Sequence, residues 1–162
     1  MKTYYIFRHG ETFATKLKKW YGYRLYSAPI LEEGKPSIIR LASYLKDIPS
    51  NYNVSSPFLR CRQTSEIVTQ ITGKNFTFDK RIREYGIELP IFFKRRVLNF
   101  LKEMESSNHQ TIIICTHAIV IEMLIQYLTK GNISLKDRLV APLPGVLTII
   151  KNKQSEEINF NL

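Results

Sequence analysis

Arg8-His9-Gly10-Glu11-Thr12 follows directly on the apolar run Tyr4-Tyr5-Ile6-Phe7. An apolar run that stops at a polar turn reads as a buried strand delivering its last side chains to the edge of a sheet. Here those side chains are a guanidinium and an imidazole, and Gly10 lets the backbone turn after them without a Cβ clash. Such a corner could hold an anion and attack it, because a neutral imidazole is a competent nucleophile near neutral pH. Two further segments place similar groups after a strand. Ser56-Pro57-Phe58-Leu59-Arg60 puts Arg60 in the first turn of a helix, and Thr116-His117 stands immediately before another helix. Helix starts attract anions through their free N–H groups, and guanidinium forks match phosphate oxygens two at a time. Arg8, His9, Arg60 and His117 therefore describe a phosphate pocket, provided the fold gathers them.

The elements that must do the gathering are legible from periodicity. Thr3 to Phe7 reads as a strand. Residues 13 to 31 show no clear period and are expected to form a long loop, a kind that is often functional. A helix opens at Gly34 and Pro36 with Ile38, Leu41, Ala42, Leu45 and Ile48 on one stripe. Tyr52 to Ser55 is a short strand. Ser56 is expected to cap the next helix with Pro57 at its first position, and Gly73 to close it. Phe76 to Phe78 reads as an edge strand and Pro90 to Ser106 as a helix. Thr111 to Cys115 is a continuous apolar strand, and Ala118 to Lys130 a helix apolar nearly all round, hence buried. Val146 to Ile150 and Ile158 to Phe160 close the order. This alternation predicts an α/β fold: a three-layer α/β/α sandwich with a mostly parallel central sheet. In such a sheet ligands bind beyond the carboxyl ends of the strands, where the four residues lie.

Composition narrows the classes. At 162 residues with 44% apolar content the chain suits a single domain, 1–162, with a proper core. The apolar runs fall far short of the ~18 residues that span a bilayer, and no secretory signal precedes Arg8, so no membrane association is expected. Cys61 and Cys115 both lie in apolar patterns, which points to free thiols and a reducing cytoplasm. The net charge of +10 favours anionic partners. Nucleic acid is the lesser expectation, because the basic residues are scattered and form no groove-reading motif. No cluster of carboxylates or cysteines has ligand spacing, so neither metal nor cofactor is expected. Nothing in the sequence specifies an oligomeric state.

The motifs, taken together, resemble those of the histidine phosphatase superfamily, the phosphoglycerate mutase-like proteins. Arg8-His9-Gly10-Glu11-Thr12 looks like its signature, and Ser56 to Thr64 is similar to its second motif. Pro29 to Gly34 resembles the segment before the first helix. Arg81 to Gly86 resembles the stretch carrying the family's acid, and Thr116-His117 falls where the second histidine does. The resemblance implies a phosphoglycerate mutase-like fold and specific roles. His9 would take the phosphoryl group as nucleophile. Arg8, Arg60 and His117 would bind the equatorial oxygens. Glu84 would protonate the leaving oxygen and then draw a proton from water, with Glu88 as the competing acid. Where the family often has an asparagine, this chain has Thr15, whose hydroxyl could still donate to phosphate.

Only 33 positions separate Glu84 from His117, which leaves room for one helix and one strand. The mutases carry extra covering elements there. A short cover implies an open pocket with water at hand, which favours hydrolysis over phosphoryl return. The expectation is a metal-independent phosphatase acting on a phosphomonoester through a phosphohistidine on His9. The alternatives are a protein phosphohistidine phosphatase, a mutase-type phosphoryl transfer, or a catalytically weak phospholigand-binding protein. The partner would be a phosphorylated small molecule or a phosphoprotein. Residues 16 to 26, rich in bases and aromatics, would either grip such a substrate or pack Trp20 and Tyr23 onto the domain.

Overall fold

The computed structural model describes residues 1–137 and 140–162. Among these residues six strands form one sheet: β1 (Thr3–Arg8), β2 (Tyr52–Ser55), β3 (Thr77–Phe78), β4 (Thr111–Thr116), β5 (Val146–Lys151) and β6 (Gln154–Asn159). Their spatial order is β3-β2-β4-β1-β5-β6. The β2–β3, β2–β4 and β1–β4 pairings are parallel, whereas β5 runs antiparallel to β1 and β6 antiparallel to β5. Among the described residues five α-helices accompany the sheet: α1 (Phe13–Leu17), α2 (Lys35–Leu45), α3 (Leu59–Thr72), α4 (Pro90–Ser106) and α5 (Ala118–Lys130).

Alternation along the strands builds two cores. Ile112 and Ile114 of β4 join Tyr4, Ile6 and Val54 on the face covered by α4 and α5, where Val97, Phe100, Leu101, Ile121 and Leu124 are wholly buried. Ile113 and Cys115 join Phe7 and Leu147 on the other face, under Ile38, Leu41 and Leu45 of α2 and Cys61 and Val68 of α3. Both faces of the sheet are thus covered, as the three-layer expectation requires. The apolar run of β4 follows from this: a strand buried on both faces has no side turned to water.

Three local expectations need correction. The stretch from 13 to 31 is not structureless, for it holds α1 and a 3-10 turn at Gly22–Arg24. Helix α3 begins at Leu59 rather than at Pro57, with Phe58 in the capping position and no side-chain cap. The last strand runs from Gln154 to Asn159, earlier than Ile158, and joins β5 through Asn152-Lys153, both in the left-handed region. Its face is polar and exposed, so it lacks the apolar alternation that marks a strand.

Two strands at the centre decide where the chemistry sits. β1 and β4 run side by side from Thr3↔Thr111 to Arg8↔Thr116, so both end at the same edge. His9 extends the ladder by donating its N–H to the Thr116 carbonyl at 3.1 Å. Strand β2 ends beside them, with the Ser56 N–H on the Cys115 carbonyl at 3.0 Å.

Candidate active site

The fold gathers Arg8, His9, Arg60, Glu84 and His117 at this edge. The His9 and His117 ring centroids are 5.3 Å apart, and both residues are fully buried, as is Arg60. The Nδ1 of His9 lies 2.8 Å from its neighbour's carbonyl, that of Gly10. A carbonyl only accepts, so Nδ1 carries the proton in the neutral ring and Nε2 keeps its lone pair. Among the described residues Nε2 has no partner. Burial, followed by the charges of Arg60 and Arg8, holds the His9 pKa well below that of an ordinary imidazole. The ring is therefore neutral at physiological pH. His117 is depressed for the same leading reason, burial, with Arg60 next.

Arg60 is the largest fully buried side chain. Its Nη1 donates to the Leu25 carbonyl at 2.5 Å, and its guanidinium lies 4.1 Å from the centroid of the Tyr21 ring. Among the described residues its Nε and Nη2 have no acceptor, nor does the Nε of Arg8. Buried donors without acceptors are rare and costly. Together with the bare Nε2 of His9, these atoms surround the same small region. Arg8 is partly exposed, with Nη1 3.5 Å from the Pro142 carbonyl.

The acid segment is held from two sides. Thr116 donates its hydroxyl to the Ile82 carbonyl at 2.6 Å. Arg96 on α4 donates to the carbonyls of Arg81, Arg83 and Glu84 at 2.7, 2.8 and 3.1 Å. Glu84 and Glu88 differ sharply. Glu88 is locked to Arg96, with Nη2 to Oε1 at 2.6 Å, and lies 3.8 Å from Arg83. Glu84, partly buried, forms no ion pair within 4 Å among the described residues; its Oε1 accepts the Tyr85 N–H at 3.0 Å. Burial raises its pKa above the ordinary glutamate value, against the opposing pulls of that N–H, Arg60, Arg8 and Arg96. Arg81 is also engaged elsewhere, with Asp79 and Glu103.

Thr15 is not free to donate to phosphate. Its hydroxyl donates to the Thr12 carbonyl at 2.9 Å and accepts the Thr12 N–H at 2.7 Å, which closes a capping box on α1. Ser56, read as a helix cap, instead places its hydroxyl 2.7 Å from Nε2 of His117. Cys61 Sγ is 3.5 Å from the same nitrogen. Gly10 is needed for room: an added Cβ would come within 3.3 Å of Ile30 and 3.4 Å of Ile38.

Several supporting residues escaped sequence reading. Thr64 accepts the Gly10 N–H at 2.8 Å and donates to the Arg60 carbonyl at 2.7 Å, tying the histidine corner to α3. A threonine on the otherwise apolar stripe Cys61–Val68 was the available signal. Arg96 sat within a basic triplet with nothing to set it apart. Tyr21 lay in the presumed loop, although its ring stacks on Arg60 and its hydroxyl is 2.8 Å from that of Thr12.

The expectation of an open pocket fails. The cover comes from the segment after α1, rather than from the stretch between Glu84 and His117. A cavity of about 660 Å³ lies alongside, lined by Arg8, Thr15, Lys18, Lys19, Tyr21 and Arg40 among others, and none of His9, Arg60, Glu84 or His117 reaches it. Trp20 and Tyr23 do not pack onto the domain, being 75% and 95% exposed. Among the described residues no group of three or more His, Cys, Asp or Glu could hold a metal ion.

The family model of the histidine phosphatase superfamily (branch 1) matches residues 4–89 and 85–158. A curated relative from Escherichia coli, named "Probable phosphoglycerate mutase GpmB", is 28% identical over 108 residues, 67% of this chain and 48% of its own length. The chain thus spans about half the length of the curated relatives it matches. Among solved structures, a mycobacterial glucosyl-3-phosphoglycerate phosphatase described in complex with VO3 has a TM-score of 0.78 at 16% identity, with 98% of each chain covered. The protein histidine phosphatase SixA, complexed with tungstate, has a TM-score of 0.69 at 16% identity, covering 96% of this chain and 94% of its own.

Proposed function

The chain belongs to the histidine phosphatase superfamily, and we propose that it is a metal-independent phosphatase that hydrolyses a phosphomonoester through a phosphohistidine on His9. The observation that carries this reading is the His9 imidazole: neutral, oriented through Nδ1 by the Gly10 carbonyl, and bare at Nε2 beside two arginines. Nε2 attacks phosphorus as the bond to the leaving oxygen breaks. Arg8, Arg60 and His117 hold the equatorial oxygens, whose negative charge needs fixed donors more than it needs covalent chemistry. Glu84, with its raised pKa, gives its proton to the leaving oxygen. Water then attacks the phosphohistidine, Glu84 takes the proton of that water, and the P–N bond breaks to release phosphate and neutral His9. Thr15, held in its capping box, is left out of the cradle.

Glu88 is tied to Arg96, which supports Glu84 as the acid. An acid with an elevated pKa suits an oxygen leaving group, which supports a phosphomonoester over a phosphohistidine substrate. The exposed bases and aromatics from Lys16 to Tyr26 support the second reading, a protein phosphohistidine phosphatase with a bulky anionic partner. Turnover of p-nitrophenyl phosphate in excess chelator, measured for wild type and His9→Ala, tests the mechanism. Activity is expected to survive chelation and to vanish in the variant, with label from a phosphate-labelled substrate held on wild-type protein after an alkaline quench. Equal activity in both proteins would overturn the assignment of His9.

A further inference from the structure

The reacting nitrogen of His9 and the free donors of Arg60 are shielded from solvent, so no phosphoryl group reaches them until something moves. Tyr21 is what stands in the way. Its ring lies on the Arg60 guanidinium, 4.1 Å from centroid to Cζ, and its centroid is 6.5 Å from that of His9. Four residues later, the Leu25 carbonyl occupies Nη1 of the same arginine. Arg60 thus holds the segment at two points, by its face and by Nη1, while Nε and Nη2 keep their donors free among the described residues.

The backbone around Tyr21 suits a hinged piece. Lys18 and Gly22, on either side of it, both have left-handed φ, 51° and 57°. An added Cβ on Gly22 would meet nothing within 4 Å, so the glycine answers to backbone conformation and not to packing. From Lys18 to Arg24 only Tyr21 is shielded at all; its neighbours are exposed. A segment with few buried contacts opens at low cost.

We propose that Tyr21 is the gate and positioning residue of this site: its ring holds Arg60 in place while the site is empty and swings out, with the segment turning at Lys18 and Gly22, when an oxyanion takes its place on the guanidinium. This rests on the reading of the cluster as a phosphoryl site. The gate also sets specificity, because any substrate must supply enough charge to replace the Tyr21 ring on Arg60. A dianionic phosphomonoester does so, and a monoanionic diester is disfavoured.

Trp20 is the single tryptophan of the chain and adjoins Tyr21, so it reports on the segment. Stopped-flow fluorescence with orthovanadate, for wild type, Tyr21→Phe and Tyr21→Ala, provides the test. Wild type should show a Trp20 signal. Tyr21→Ala should bind vanadate with an association rate about tenfold higher, the size of one desolvated cation–π contact. Tyr21→Phe keeps the ring and loses only the contact with Thr12, so a rise of about threefold is expected. If Tyr21→Ala does not fold, Tyr21→Phe decides alone. Vanadate binding at the same rate in all folded proteins, or more slowly in the variants, overturns the gate and leaves the phosphoryl site standing. No vanadate binding by wild type, by fluorescence or by competition with substrate, removes both.

Discussion

His9 and His117 stand on the two central strands of the sheet, whereas Tyr21 stands on a short turn with solvent on most sides. The first pair is fixed by ladder bonds, by Thr64 and Thr116, and by cores on both faces. The second residue is fixed by ring contacts with Arg60, Phe13 and His9 and by one hydroxyl. Yet both regions meet on the same guanidinium, that of Arg60. Under the proposed mechanism the difference separates two jobs within one site: the sheet edge would set where phosphorus is attacked, and the turn what arrives there. Damage to the first should abolish the chemistry, and damage to the second should alter access.

The largest expected effect is at the sheet edge. His9→Ala should lower kcat by at least about 10⁴-fold, because the other neutral imidazole beside Arg60, that of His117, has its Nε2 engaged by the Ser56 hydroxyl. Arg60→Met should cost roughly 10²–10³-fold in kcat, as loss of a preorganised donor to an oxyanion does. It should also remove the group on which vanadate displaces Tyr21, so loss of the vanadate signal alongside the lost turnover would sharpen the division. Retained turnover in Arg60→Met would break it.

Glu84→Gln should lower kcat by about 10²–10⁴-fold on an alkyl phosphate and by less on an aryl phosphate, whose leaving group needs a proton less. The pH profile carries the sign. His9 acts when neutral and its pKa is depressed, so activity should persist well below the ordinary imidazole range. Glu84 acts first as an acid and its pKa is raised, so kcat should fall as pH climbs through that raised value. The alkaline fall, and not the acid one, should disappear in Glu84→Gln.

Arg96→Met breaks a mostly buried pair with Glu88 and frees three carbonyls. A loss of about 3 kcal/mol is expected, or about 8 °C in Tm for a chain of this size. Differential scanning calorimetry reads it directly. At the far end of the scale, Tyr23→Ser on the exposed turn should change stability by less than about 0.5 kcal/mol. A larger loss would mean that the turn is anchored more firmly than its exposure implies.

The same contrast explains what could be read from the chain. β1, β4 and α5 are buried on several sides, and burial leaves long apolar runs that periodicity detects. The chemistry-bearing residues follow those runs directly, so Arg8, His9 and His117 fell into place with them. Ser56 and Thr15 were misread because short polar side chains cap helices or serve sites with equal ease, and only the fold chooses. Strand β6 is exposed and polar, so nothing in its composition marked it. Arg96 and Tyr21 act across gaps of 12 and 39 residues, on Glu84 and Arg60 respectively, and no local pattern encodes such a meeting.

The pairing of β1 bears on how the protein comes to be made. Thr3 faces Thr111 on one side and Lys151 on the other. During synthesis the histidine corner therefore leaves the ribosome long before either neighbouring strand exists. Contacts this distant in sequence slow folding and keep an apolar strand waiting for its partners. The proposed site needs β4 beside β1 to bring His117 to His9, and a chain cut short before that strand carries the signature motif without the geometry to use it.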